Sequence, residues 1–250
     1  MGVADIVLLC GAGLLGGFVN SIAGGGSLLV FPALVATGLG TVAANVTNSV
    51  ALWPGYVGTL FGLGSLVNTQ TRRARELAVV ACLGAAAGCA VLLVTPTRVF
   101  TIAVPFLVIS ASILVAAQPA IARRIGASRV SRPRTLVVAV GASAVYGGYF
   151  GGGLGVILLA VLGLTIVAPL RETNALKSII SLIVASVALV VFAIFGPVHW
   201  LEVGVVAPTA LLGGVLGGRS AAVVNERLLR VAIVAFGLAI GVWLAVRAFS

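Results

Sequence analysis

Long apolar runs, separated by short polar or glycine-rich breaks, dominate this chain of 250 residues. The runs are continuous rather than alternating, which favours helices over the strands of a barrel. Several approach the length of about 20 residues that a helix needs to cross a bilayer. Ten such segments can be delimited, at 3–22, 24–37, 41–66, 77–94, 99–118, 135–150, 152–168, 173–195, 201–218 and 228–248. The pattern predicts an all-α polytopic membrane protein with eight to ten transmembrane or re-entrant helices.

The composition agrees with a membrane protein and excludes a soluble one. Hydrophobic residues make up 61% of the chain and charged residues 8%, with a mean hydropathy of +1.26, whereas a soluble domain carries about 25% charged residues. The net charge of +10 is better explained by basic loops facing anionic lipid than by nucleic acid. We therefore expect membrane lipid as a partner and no nucleic acid. Cys10, Cys82 and Cys89 lack disulfide or metal-ligand spacing, and no metal or cofactor is predicted.

The basic residues predict the orientation of the chain in the membrane. With the N-terminus outside and ten alternating segments, thirteen basic residues fall on the cytoplasmic side: Arg72, Arg73, Arg75, Arg123, Arg124, Arg129, Arg132, Arg134, Arg171, Lys177, Arg219, Arg227 and Arg230. Only Arg98 and Arg247 fall outside. Because Lys and Arg are enriched in cytoplasmic loops, we expect a multi-pass protein of the cell (inner) membrane with both termini on the non-cytoplasmic side.

A weaker copy of the first half recurs in the second half. Three glycines (Gly24–Gly26) and a later Thr47-Asn48 pair have counterparts in Gly151–Gly153 and Thr173-Asn174, and the two asparagines lie 126 positions apart. Five segments per half is an odd number, so the second half enters the membrane in the opposite sense. The sequence predicts an inverted-topology repeat, with repeats at 1–122 and 135–250 and a basic cytoplasmic connector at 123–134.

Polar residues beside the two glycine breaks are the candidate binding residues. Helix N-termini attract anions, and glycine lets backbone N–H groups approach a ligand. Mid-segment carboxylates are lacking, which favours an anion over a cation. The candidates are Asn20, Ser21, Gly24, Gly25, Gly26, Ser27, Asn45, Thr47, Asn48, Ser49, Gly151, Gly152, Gly153, Thr173, Asn174, Lys177 and Ser178. The alternative is that these residues cap helices and bond neighbouring helices, with Lys177 as a snorkelling anchor.

These features resemble the TauE/SafE sulfite exporter family. The resemblance is carried by Gly24-Gly25-Gly26, by Pro32 and Gly38, by the asparagine-containing helix start, and by a second copy in a chain of this length. It implies an exporter or secondary carrier of small sulfur-containing anions, such as sulfite or organosulfonates, that binds them near the midplane at broken helices. In the second copy, Ala160 or Val161 stands near the place that Pro32 takes in the first.

Two other functions remain open at this stage, although we expect the protein not to be an enzyme. An intramembrane enzyme could use Ser27 as nucleophile and His199 as base, but no Gly-x-Ser-x-Gly elbow is present. A passive anion channel would share every feature except alternating access. Homo-oligomerisation is possible in either case.

The charge distribution generates a topological prediction. Single cysteines placed in the 123–134 connector of a cysteine-free variant should react with membrane-impermeant maleimide only after the cells are permeabilised. Cysteines placed at either terminus should react in intact cells. Labelling of the connector from outside would contradict both the orientation and the inverted repeat.

Overall fold

The computed structural model of the protein describes residues 1–125, 133–220 and 226–249, and ten helices account for most of them. The helices are α1 (Val3–Ile22), α2 (Ser27–Ala36), α3 (Thr41–Leu63), α4 (Leu66–Val94), α5 (Thr97–Ile125), α6 (Pro133–Tyr149), α7 (Leu154–Thr165), α8 (Leu170–Phe195), α9 (Trp200–Ser220) and α10 (Glu226–Phe249). Each corresponds to one predicted segment, and the all-α fold class is confirmed. Most of the predicted connector, residues 126–132, lies outside the described residues.

One helix begins well before its predicted segment. Helix α4 starts at Leu66 rather than at residue 77 and therefore contains the basic stretch around Arg72. Arg72 pairs with Glu76 one turn later, with 3.4 Å between Nε and Oε1. Arg, Gln and Glu are good helix formers and the pair lies on one helix face. Hydropathy finds only the apolar part of such a helix, because its polar first turns leave the bilayer.

Six helices are long and apolar enough to cross a membrane, judged by length and composition. They are α1, α4, Thr97–Ala120 of α5, Arg171–Phe195 of α8, α9, and Arg227–Arg247 of α10. By contrast, α2 has 10 residues and α7 has 12. At 1.5 Å per residue they extend for only about 15–18 Å, roughly half of a bilayer core. They are therefore half-length helices.

Close glycine contacts assemble two groups of three helices. In the first group α9 packs against α1 and α3, where Gly17 faces the Ala210 carbonyl and Gly58 faces the Leu211 carbonyl too closely for any side chain. In the second group α4 packs against α6 and α8, and Gly88 faces the Val145 carbonyl in the same way. Small residues at these positions let backbones approach closely, which drives helix association where no hydrophobic force operates.

The helices of one group run in the same direction, and the two groups run in opposite directions. Going down α1 from Gly13 to Gly17, the facing residues of α9 advance from Val206 to Ala210. The groups meet where α3 packs against α8. There the Trp53 Nε1–H donates to Ser186 Oγ at 2.9 Å, while Val46, earlier in α3, contacts Gly196 beyond the end of α8. This contact is therefore antiparallel.

The helices α5 and α10 form an antiparallel pair beside these two groups. Gly237 of α10 contacts Ser112 of α5, and Gly241 contacts the earlier residue Ile109. The pair reaches the half-length helices, since α5 contacts α7 and α10 contacts α2. All ten helices thus surround the two places where the chain breaks.

Candidate functional site

The first break connects α1 to α2 through the predicted glycine triplet. Gly24 has a φ of +80°, which side chains rarely adopt, and its Cα faces Gly155 of α7 so closely that an added Cβ would lie 2.5 Å from the Gly155 Cα. The backbone N–H of Gly26 donates to Asn20 Oδ1 at 2.9 Å. Asn20 therefore binds the start of α2 from the last turn of α1, and it holds the break in shape.

The second break, between α6 and α7, is held by a different side chain. Gly151 and Gly153 have φ values of +75° and +74°. The Tyr146 hydroxyl donates to the Gly152 carbonyl at 2.5 Å. The spacing repeats that of the first break: each side chain bonds the backbone six residues later, and Tyr146 lies 126 positions after Asn20. A phenol thus supports the second break where an amide supports the first.

Both breaks lie at half the height of the helices around them. Gly26 packs against Gly16 of α1, and Gly16 in turn contacts Leu52. Leu52 is the central residue of α3, eleven positions from Thr41 and from Leu63. Because Gly24 contacts Gly155, the starts of the two half-length helices come together at this level. Most of their first N–H groups bond carbonyls of the breaks, as Leu28 does to Gly25 and Leu154 does to Gly151, and the positive ends of both helix dipoles lie here.

Lys177 of α8 brings a positive charge toward this region. Its side chain is only 2% exposed, and the Nζ donates to the Asn20 backbone carbonyl at 3.5 Å. Both ion pairs found among the described residues, Arg72–Glu76 and His199–Glu202, lie elsewhere. The ammonium is thus buried in protein and not snorkelling to an interface. A buried charge without a counter-ion is strongly unfavourable.

The Asn20 side chain leaves a hydrogen-bond donor free beside Lys177. Among the described residues, the buried Asn20 Nδ2 has no hydrogen-bond partner of good geometry, although the Tyr56 hydroxyl interacts with this side chain. Ser27, the first residue of α2, is buried at the same break. An amide donor and an ammonium therefore both lie at Asn20. This arrangement is suited to an anion with several oxygen atoms.

The two asparagines of α3 have a different environment. Asn45 and Asn48 are each 1% exposed. Asn45 Nδ2 donates to the carbonyl of Tyr149, the last residue of α6, at 3.0 Å. The Oδ1 atoms of Asn45 and Asn48 are buried without any partner. Two buried amide oxygens are therefore left free on this part of α3.

Several predicted site residues already use their side chains within the protein. Ser21 Oγ donates to the Gly214 carbonyl at 2.9 Å and lies 2.6 Å from Thr59 Oγ1. Thr47 Oγ1 accepts the His199 backbone N–H at 3.1 Å. The hydroxyls of Ser49, Thr173 and Ser178 donate to carbonyls four residues earlier, those of Asn45, Pro169 and Asn174. Asn174 itself is half-buried.

Sequence reasoning missed three tyrosines around the breaks. Tyr56 interacts with Asn20, Tyr146 bonds Gly152, and Tyr149 accepts from Asn45. Only Tyr146 had a signal in the sequence, since it occupies the position 126 residues after Asn20. The contacts of Tyr56 and Tyr149 depend on how distant helices pack.

Ten helices with two glycine breaks meeting at half height, beside a buried lysine, define a polytopic membrane transporter. The sequence model described as "Sulfite exporter TauE/SafE" matches residues 9–244. The probable membrane transporter protein ORF9 of Sinorhizobium sp is 28% identical over 244 residues, which cover 92% of this chain and 88% of that one. The probable membrane transporter protein YfcA of Escherichia coli (strain K12) is 25% identical over 222 residues, with 88% and 82% covered. No solved structure matches. The chain belongs to the sulfite exporter TauE/SafE family, as its resemblance predicted.

The geometry of the first break predicts that alanine lowers the stability of the protein at Gly24 but not at the adjacent Gly25. Gly24→Ala places a Cβ against the Gly155 backbone at positive φ, so it should lower the free energy of unfolding by roughly 1–3 kcal/mol. Gly25→Ala meets only ordinary side-chain contacts, the nearest being Val115 Cγ2 at 3.4 Å, and should melt close to the wild type. Thermal unfolding of the purified proteins in detergent provides the measurement. Equal melting temperatures for the two variants would contradict the close contact between the breaks.

Proposed function

We propose that this protein carries small sulfur-containing oxyanions, such as sulfite or organosulfonates, across the cell (inner) membrane, and that the anion binds where the two breaks meet. The observation that carries the proposal is Lys177, a buried ammonium whose hydrogen bond within the described part of the chain is to one carbonyl at 3.5 Å. An incoming anion supplies the missing negative charge. The two relatives are named as transporters without a substrate. The substrate class therefore rests on the site chemistry and the family description.

The proposed ligands are donors only. Lys177 Nζ supplies charge and Asn20 Nδ2 supplies an amide N–H, and the positive ends of the α2 and α7 dipoles add a favourable potential for an anion. Ser27 can add a hydroxyl from the start of α2. Neutral donors around one lysine let the anion bind without a second fixed charge, so release to either side stays possible.

We further propose that the halves form an inverted repeat and that transport proceeds by alternating access. Under this repeat each helix of 1–122 has a counterpart in 135–250. The counterparts of α1, α3 and α9 are α6, α8 and α4, in that order. The two groups run in opposite directions, as this exchange requires. The fourth helix of each half therefore packs with the other half. Rocking of one group against the other would expose the central site to each side in turn.

The competing functions differ from a carrier in ways that can be measured. For the enzyme alternative, His199 pairs with Glu202, with 3.8 Å between Nδ1 and Oε2, and not with Ser27. A channel would conduct sulfite without saturation and without exchange. Proteoliposomes loaded with unlabelled sulfite should instead accumulate labelled sulfite by counterflow, and this exchange should saturate.

The role of Lys177 predicts that stability and binding change in opposite directions. Lys177→Met removes the charge at similar volume, so the apo protein should melt at a higher temperature than the wild type. The same variant should lose about tenfold to a hundredfold in sulfite affinity, because a hydrogen bond to a charged group is worth about 1.5–3 kcal/mol. Thermal unfolding with and without sulfite, together with counterflow in proteoliposomes, measures both effects.

Lys177→Arg is the matched control, since it keeps the charge and should keep part of the sulfite-induced stabilisation. If Lys177 served only to hold the end of α1, Lys177→Met would melt early and retain its full response to sulfite. That pair of results would refute the proposed site.

A further inference from the structure

Among the described residues, buried amide or ammonium donors and buried amide acceptors with few or no partners lie on different helices near the breaks. The donors, Lys177 Nζ with its single 3.5 Å contact and the unpartnered Asn20 Nδ2, lie together at the end of α1. The unpartnered acceptors, Asn45 Oδ1 and Asn48 Oδ1, lie three residues apart on one face of α3. One face of the break region is thus prepared for negative charge and another for positive charge.

These two sets of atoms lie at different heights along α3. Along α3, the acceptors precede Leu52, which lies level with the first break through Gly16. Asn20 interacts with Tyr56, which follows Leu52. The Asn20 carboxamide reaches back to Gly26, which packs against Gly16, so it lies near the level of Leu52, four residues or about 6 Å beyond Asn48 along the helix axis.

The surroundings of Asn45 and Asn48 are unsuited to an anion. The Asn45 amide nitrogen is already bound to the Tyr149 carbonyl, which fixes its Oδ1 as the free atom. Tyr149 ends α6, where unpaired carbonyls carry the negative end of the helix dipole. The neighbouring hydroxyls are engaged as well: Ser49 donates to the Asn45 carbonyl, and Thr47 accepts from His199.

We propose that Asn45 Oδ1 and Asn48 Oδ1 are ligands of a dehydrated alkali-metal cation, for which Na⁺ is the test ion. Amide oxygens near the carbonyl end of a broken helix are the type of ligand that membrane carriers offer to such ions. A buried acceptor without a partner destabilises the folded protein, and a bound cation would satisfy it. This assignment replaces the anion-binding role expected for these two residues. The cation site lies on the α3 N-terminal side of the break.

A cation here and an anion at Lys177 would attract each other across the breaks, so that each ion raises the affinity for the other. This coupling rests on the proposed anion transport, whereas the binding of the cation does not. A test without sulfite therefore separates the two proposals.

The test is thermal unfolding of the purified protein in NaCl, KCl and choline chloride at equal ionic strength. The wild type should show a saturable rise in melting temperature with Na⁺ or K⁺ relative to choline. Asn48→Leu should lose this rise. Asn48→Asp keeps an oxygen ligand and adds a negative charge, so half-saturation should move to about tenfold lower cation concentration.

Asn68→Asp is the matched control, because it makes the same charge change at an exposed position on α4 and should titrate like the wild type. Asn48→Asp keeps the proposal testable if Asn48→Leu does not fold, since a gain in affinity is not produced by misfolding. Equal melting of the wild type in all three salts would overturn the site. An unchanged half-saturation in Asn48→Asp, or the same shift in Asn68→Asp, would overturn it as well.

Discussion

The contact between the Lys177 ammonium and the Asn20 carbonyl is the interaction on which the account of this protein depends. It joins α8 of the second half to the end of α1 in the first half, immediately before the first break. A carbonyl near a helix C-terminus is a favourable neighbour for a cation, yet a partial charge worth about 0.3–1 kcal/mol does not balance a buried ammonium. The folded protein therefore keeps an unbalanced positive charge at its centre, which the proposed anion would balance.

Glycine packing makes this arrangement possible. Helix backbones touch at Gly17 and Ala210 in one group and at Gly88 and Val145 in the other, so the helices that carry polar residues are held close without large side chains between them. At the breaks, Gly24 against Gly155 brings the starts of two half-length helices together. The cost of irregular backbone inside a bilayer is limited because protein, not lipid, surrounds it. The high glycine content thus accounts both for the close helix packing and for the polar breaks.

The sequence predicted the helices well because hydropathy and glycine act locally. All ten segments correspond to helices, and both breaks fall at the predicted triplets. Contacts between side chains on different helices were harder to predict. The sequence could not show that Ser21 bonds Gly214 or that Thr47 bonds His199, whereas the spacing of 126 residues was a signal for Tyr146. Lys177 was recognised as a candidate cation, but its burial follows from the packing of α8 against distant helices.

A crystal structure of the protein with selenite tests the central claim most directly. Selenite is a pyramidal oxyanion like sulfite, and its selenium scatters X-rays anomalously. We predict an anomalous difference peak beside Lys177 Nζ and Asn20 Nδ2, at the junction of the two breaks, and the loss of this peak in Lys177→Met. A peak at another place that survives in Lys177→Met, or a well-ordered Lys177 with no peak beside it at saturating selenite, would contradict the account.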